Sequence, residues 1–237
     1  LLLGAEELAF VACGTSWHSA LLGKYWIEKY ARIPVSVELA SEFRYRDPVL
    51  KPKTVVVGIT QSGETADTLA VLRDLKKKGV PTVAITNVRG SSISREADGT
   101  FYTAAGPEVG VASTKAFLAQ LSTLICFAGA RSKRDPKASE KLFRDVIALP
   151  HALQTVLSDD RGIVSETKSV ASALDGAKGF FFIGRGYSFP MALEAALKLK
   201  ELAYVYAEGY AAGELKHGPI AMIEEGMVVV VLAPKDS

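Results

Sequence analysis

Cysteine is scarce. The 237 residues hold two, Cys13 and Cys126, beside three histidines; that is too few for a disulfide framework, and the spacing matches no metal site. Such usage fits a reducing cytoplasm. Long apolar runs are also missing. The most apolar stretches, "FLAQLSTLICFAGA" and "MVVVVLAP", fall short of the roughly 20 residues that a membrane span needs. The apolar start, "LLLGAEELAF", has no basic region and no cleavage pattern, so a signal peptide is not read there. Charge of one sign is not in excess: 28 Lys and Arg stand against 26 Asp and Glu, a formal net charge of +2. With no dense basic run and no aromatic ladder, neither nucleic acid nor membrane is an expected partner.

What is present describes a globular protein, with 49% apolar and 23% charged residues. Short β-rich runs alternate with helical stretches. "ELAFVACGTS" reads as a strand and turn, residues 17–31 as a helix, and "VSVELAS", "TVVVGIT", "PTVAITN" and "GTFYTAAG" as further strands. A helix over 64–78 closes on Lys76, Lys77, Lys78 and Gly79. A long apolar helix is expected over 112–130, a solvated linker over 131–145 and a connecting helix over 146–174. Near-continuous Val, Ile and Phe runs joined by helices predict parallel α/β sheets covered on both faces.

"GFFFIGRGYS" then starts a second strand and turn. An offset of 172, which carries Gly14 onto Gly186, keeps register without gaps over roughly fifty residues. Ser16 meets Ser188, Ala40 meets Ala212, Glu42 meets Glu214, and Val56 meets Val228. The reading is two copies of one unit: 1–130, then a linker and connecting helix over 131–174, then 175–237 as the first part of a truncated second copy. A half sheet would leave an unpaired edge, so the chain is expected to be a piece of a longer protein.

In open α/β sheets ligands bind beyond the carboxyl ends of the strands. Three turns there are rich in small residues and hydroxyls. "ACGTSWH" offers Cys13, Gly14, Thr15 and Ser16; "TQSGET" offers Thr60, Gln61, Ser62 and Thr65; "GPEVGVASTKAF" offers Ser113, Thr114 and Lys115. Close backbone approach and recognition of a polyol or phosphate need such residues, and the start of a helix suits an anion. Ordinary N-capping accounts for any one of them equally well. Glu64 requires its carboxylate to point away from a bound phosphate. "CGTS" is not the dinucleotide fingerprint, and "GRGYSF" lacks its third glycine.

Two further features carry chemistry. In "SFPMALEAALKLKELAY", Glu194, Lys198 and Glu201 fall on one narrow stripe of an otherwise apolar helix. Exposed, the stripe is an ordinary i,i+4 ion pair; partly buried, it suits proton transfer. "AAGELKHGP" places His217 in a loop bounded by Gly and Pro, where it is either a surface residue or a group that titrates near neutrality.

In this order, "ACGTS", "TQSGETADT", "EVGVASTKAF", "ALKLKE" and "EGYAAGELKHGP" resemble the isomerase half of the glucosamine-6-phosphate synthases, or glutamine-fructose-6-phosphate aminotransferases. The resemblance covers essentially the whole chain and implies two sugar-isomerase (SIS) domains, the second incomplete. It also implies that Thr60, where the family commonly has serine, holds the sugar phosphate with Gln61, Ser62 and Thr65. Cys13, Gly14, Thr15, Ser16, Val111, Ser113 and Glu194 would contact the sugar. Glu201 would be the base between C1 and C2, Lys198 its assistant, and His217 the ring-opening group supplied by a neighbouring subunit of a homodimer. The implied ligands are fructose-6-phosphate and glucosamine-6-phosphate, with no cofactor. In the full-length enzyme a glutaminase domain would deliver ammonia, and a C-terminal tail would carry a Schiff-base lysine; neither is in this chain. Related deaminase-isomerases and fructosamine-phosphate deglycases, or a non-catalytic sugar-phosphate sensor, would share the phosphate turn. "ACGTS" together with "VASTKAF" argues against the former; Glu201, Lys198 and His217 together argue against the latter.

Overall fold

The computed structural model describes residues 2–132, 136–158 and 162–235. The chain divides into two compact units, Leu1–Pro136 and Lys137–Ser237. Among the described residues no helix is long and apolar enough to cross a membrane.

The first unit runs β1 (Glu7–Ala12), α1 (Gly14–Trp26), β2 (Val35–Leu39), α2 (Ala40–Phe43), β3 (Thr54–Thr60), α3 (Ala66–Lys77), β4 (Thr82–Thr86), α4 (Ser92–Glu96), β5 (Gly99–Tyr102) and α5 (Lys115–Ala130). A π-turn over Ile27–Ala31 extends α1 and ends where Arg32 turns left-handed at φ 57. The five strands are parallel in the order β2-β1-β3-β4-β5. Successive side chains in a strand point to opposite faces, and here both faces are apolar. Leu8, Phe10, Val55, Val57, Ile59, Val83 and Ile85 pack with Ala20, Ile27 and Leu124 of the α1 and α5 layer. Ala9, Val11, Val56 and Ala84 pack with Leu69, Leu72 and Ile93 of the α3 and α4 layer. This double coverage is why the strands read as continuous apolar runs.

The second unit contains α6 (Pro136–Leu157), whose first residue closes the first unit, α7 (Ile163–Ala173), β6 (Gly179–Gly184), α8 (Ser188–Ala203), β7 (Ala207–Ala211) and β8 (Met227–Leu232). Short 3-10 turns at Leu215–His217 and Pro219–Met222 fill the connection before β8. The sheet is again parallel, in the order β7-β6-β8. Gly209 lets α8 lie close on β7, since a Cβ there would come within 2.7 Å of the Leu193 Cα. Among the described residues one edge of β8 has no partner strand, and Val231 in this strand is 60% exposed.

Four expectations are corrected. The helix expected from residue 112 starts at Lys115. The charged stretch expected to be a linker over 131–145 is largely helical, with α6 starting at Pro136 and residues 133–135 outside the described residues. Its charges are the solvated face of that helix, where Arg144 pairs with Glu140 and Lys141 with Asp145 at i,i+4 spacing. The single helix expected over 146–174 is two, α6 and α7, and residues 159–161 between them also lie outside the described residues.

The fourth concerns the repeat. Leu8 pairs with Val35 and Phe180 with Ala207, which keeps the offset of 172. Leu8 pairs with Val55, however, and Phe180 with Val228, an offset of 173. One extra residue therefore enters between β7 and β8. A slip of one residue exchanges the faces of a strand, so Val228 is the counterpart of Val55 and not of Val56.

Candidate functional site

The strand order reverses between β1 and β3, because β1 is followed by β2 on one side and joined by β3 on the other. Crevices at such a switch point, beyond the carboxyl ends of the strands, are where open α/β sheets hold ligands. Two of the three expected turns flank that point.

The turn after β1 enters α1 through Gly14, left-handed at φ 53, with nothing within 4 Å of where its Cβ would be. The Trp17 N–H donates to the Cys13 carbonyl at 3.4 Å. Cys13 and Thr15 are half-buried and Gly14 is exposed. Ser16 faces inward instead. Its hydroxyl accepts from Gln120 Nε2 at 2.9 Å, while the Ser19 hydroxyl donates to Gln120 Oε1 at 2.9 Å. This buried amide ties α1 to α5 and fixes the helix that the turn begins.

The turn after β3 is held by its own hydroxyls. Thr60 Oγ1 lies 2.7 Å from Thr65 Oγ1 and accepts from the Gly63 N–H at 3.3 Å; Ser62 Oγ accepts from the Glu64 N–H at 3.1 Å. Thr60 is 2% exposed, so its hydroxyl shapes the turn from behind, while Gln61, Ser62 and Thr65 are partly open at the start of α3. Gly63 is left-handed at φ 74, and a Cβ would come within 2.2 Å of Ser91 Oγ. Glu64 accepts from the Ser92 N–H at 2.8 Å. Its hydrogen bonds with Ser92, and then the charges of Arg95 and Arg73, hold its carboxyl below the ordinary range. The carboxylate is thereby engaged at the start of α4.

The third turn differs from expectation. Ser113 precedes the helix, and the N-cap residue Thr114 makes no side-chain cap bond. The start of α5 is capped by Glu108, which accepts from the Ala116 N–H at 2.9 Å and the Thr114 N–H at 3.4 Å. Val111 is 98% exposed. Glu108, Gln120 and Asn87 are the residues missed by sequence reasoning. A carboxylate eight positions before a helical N–H is too distant for a capping pattern, and the other two act through contacts far along the chain. An apolar cavity of about 760 Å³ lies under the sheet face, lined by Phe10, Val57, Ile85, Phe101, Leu124 and Phe127. Its lining offers few groups that could hold a charged ligand, in contrast to the polar turns.

In the second unit, Lys198 Nζ sits 3.4 Å from Glu194 Oε1 and pairs also with Glu201. The side chains of Glu194, Lys198 and Glu201 are 6%, 19% and 31% exposed, so the stripe is not the solvated pair that spacing alone allows. One ammonium bridges two carboxylates, the outer of which reaches solvent. Gly186 repeats the left-handed turn of Gly14 at φ 55. His217 ends an exposed 3-10 turn, and its N–H donates to the Glu214 carbonyl at 2.9 Å. Its side chain makes no hydrogen bond or ion pair among the described residues, and the structure does not join it to the Lys198 group.

The sequence profile of the SIS domain matches residues 1–129 and 173–237. The chain belongs to the SIS-domain family. Both SIS matches fall on the two copies of the repeat. The chain is 50% identical over 235 residues to a glutamine-fructose-6-phosphate aminotransferase (isomerizing) of Clostridium tetani, covering 98% of this chain and 38% of that protein. It is likewise 51% identical over 233 residues to the enzyme of that name from Mycobacterium tuberculosis, covering 97% of this chain and 37% of that one. Among solved SIS structures, the C-terminal domain of glucosamine-fructose-6-phosphate aminotransferase from Francisella tularensis superposes with a TM-score of 0.93 at 42% identity, over 99% of this chain and 67% of that domain. The chain thus spans under two-fifths of the curated relatives' length.

Proposed function

We propose that this chain is the isomerase region of a glucosamine-6-phosphate synthase. The reaction starts from fructose-6-phosphate, aminated at C2 with ammonia from glutamine, and yields glucosamine-6-phosphate. The observation that carries the reading is the shielded Lys198 ammonium between Glu194 and Glu201. A module that only bound sugar phosphate would have no use for burying it, since desolvating charges is costly. Identity to the aminotransferases along nearly the whole chain supports the same reading.

In this mechanism Gln61, Ser62 and Thr65 hold the phosphate at the start of α3, and Thr60 keeps the turn in shape. Cys13, Gly14 and Thr15, with Val111 and Ser113, line the sugar; Ser16, expected beside them, instead fixes α1 from behind through Gln120, and Glu194 acts through Lys198. Glu201 takes the proton from C1 and returns it at C2, while Lys198 assists its transfer. His217 opens the ring and comes from the neighbouring subunit of a homodimer. Contacts to the remote phosphate help to position the reacting carbons. The full-length protein would be cytoplasmic and would carry a glutaminase domain.

The test is calorimetric binding of fructose-6-phosphate and glucosamine-6-phosphate to the wild type and to Ser62→Ala and Thr65→Ala, with product formation by Glu201→Gln in the full-length protein. Weaker binding in both turn variants and lost turnover with retained binding in Glu201→Gln support the proposal. Full activity in Glu201→Gln would refute the assignment of the base.

A further inference from the structure

The segment 103–114 runs from the end of β5 to the start of α5 without regular structure. A free loop of this kind would sample many conformations and would hold Val111 and Ser113 nowhere in particular. Two side chains, neither among the expected site residues, fix it at both ends.

Asn87 follows β4 directly. Its Oδ1 accepts from the Ala105 N–H at 2.8 Å and from the Thr103 hydroxyl at 3.2 Å, and its Nδ2 donates to the Gly106 carbonyl at 2.7 Å. Between the first two partners, Ala104 is left-handed at φ 54, a conformation that a residue other than glycine keeps only where its surroundings over-determine it. The backbone of Asn87 is also engaged, because its N–H donates to the Gln61 carbonyl at 3.0 Å. One residue thus joins the turn at 60–65 to the base of the loop. At the other end, Glu108 folds the loop onto α5 through the Thr114 and Ala116 amides. A carboxylate at that place also favours the positive end of the helix.

We propose that Asn87 and Glu108 are positioning residues that hold the segment 103–114 across the carboxyl ends of the sheet, so that Val111 and Ser113 meet the sugar carbons while the turn at 60–65 holds the phosphate. The inference rests on the sugar-phosphate reading above. It places specificity for the sugar in the loop and affinity for phosphate in the turn.

The two parts separate experimentally. Glu108→Ala and Asn87→Ala in the full-length protein leave the backbone bond to Gln61 in place. Each should weaken fructose-6-phosphate binding about tenfold, the scale of losing hydrogen bonds to one charged or multiply bonded group. Inorganic phosphate, measured by competition, should bind as to wild type. Glu108→Gln, whose amide oxygen accepts the same N–H groups, should recover most of the sugar affinity. Hydrogen exchange at the Thr114 and Ala116 amides, followed on the same samples, should be faster in Glu108→Ala and near wild type in Glu108→Gln. Equal loss of both ligands, or unchanged sugar binding despite faster exchange, overturns the positioning role and leaves the proposed function standing. A wild type that binds no sugar phosphate overturns both.

Discussion

Gly14 and Gly186 occupy the same place in the two units and adopt the same left-handed backbone, at φ 53 and φ 55. Each sits two residues past a central strand and opens the turn into the following helix. Neither has a neighbour within 4 Å of where its Cβ would be. What is preserved between the copies is therefore a backbone conformation and not a contact.

That contrast sets a first prediction. Gly14→Ala should cost about 1 kcal/mol, the strain of a left-handed alanine alone. Gly63→Ala adds a steric clash with Ser91 Oγ, which stands 2.2 Å from the new Cβ position, and should cost about 3 kcal/mol or more. Urea unfolding of both variants checks the order. Adding Ser91→Gly to Gly63→Ala should recover part of the difference.

Gln120 is 2% exposed and bonds the hydroxyls of both Ser16 and Ser19. Gln120→Leu leaves two buried hydroxyls without that partner and should destabilise by about 2–4 kcal/mol. The denaturant midpoint should fall. Gln120→Glu, which keeps an acceptor for Ser19, should also be destabilising, because its charge is buried without a counterion.

Lys198→Met removes the cation that serves Glu194, whose side chain is 6% exposed. Leaving that carboxylate without its cation should cost about 3–5 kcal/mol. The double variant Glu194→Gln with Lys198→Met should be more stable than Lys198→Met alone, as thermal unfolding of the set would show. Additive losses would mean that the two groups do not act as a pair.

The carboxyl of Glu64 is held below its ordinary value of 4.5 by the Ser92 hydrogen bonds. A folded value below the unfolded one gives stability that is fully present above the ordinary carboxylate range and is lost as pH falls through the folded value. Glu64→Gln should flatten that part of the acid limb. The check is the urea midpoint of both proteins from about pH 6 down to about pH 3, where the difference should shrink as the pH drops.

The strands of the first unit were legible because both sheet faces are covered, which leaves apolar runs such as "TVVVGIT" unbroken. The turn at 60–65 was legible for a local reason, since its bonds from Thr60 to Thr65 and from Ser62 to Glu64 span at most five residues. The slip at β8 was not, because the valine runs of "TVVVG" and "MVVVV" overlap in both registers, with two valine pairs at an offset of 172 and three at 173, a difference too small to reveal one inserted residue. Charge misled at α6, where a solvated helical face has the composition of a linker. Asn87 and Glu108 were invisible because their partners are set by how β4, β5 and α5 come together. The burial of Glu194 and Lys198 likewise follows from packing in the second unit, while their spacing alone allowed a solvated pair.

The strand order of the first unit also says something about how it is made. Every pairing in it is parallel, so each strand waits for a helix or long connection to be synthesised before its partner exists; Leu8 meets Val35 at the soonest. Such closures carry an entropic cost that slows folding. After β2 has paired with one edge of β1, however, β3 joins the other edge of β1, and β4 and β5 each join the edge left by the strand before. No strand has to insert between two already paired, so the sheet can grow in the order in which a ribosome delivers it.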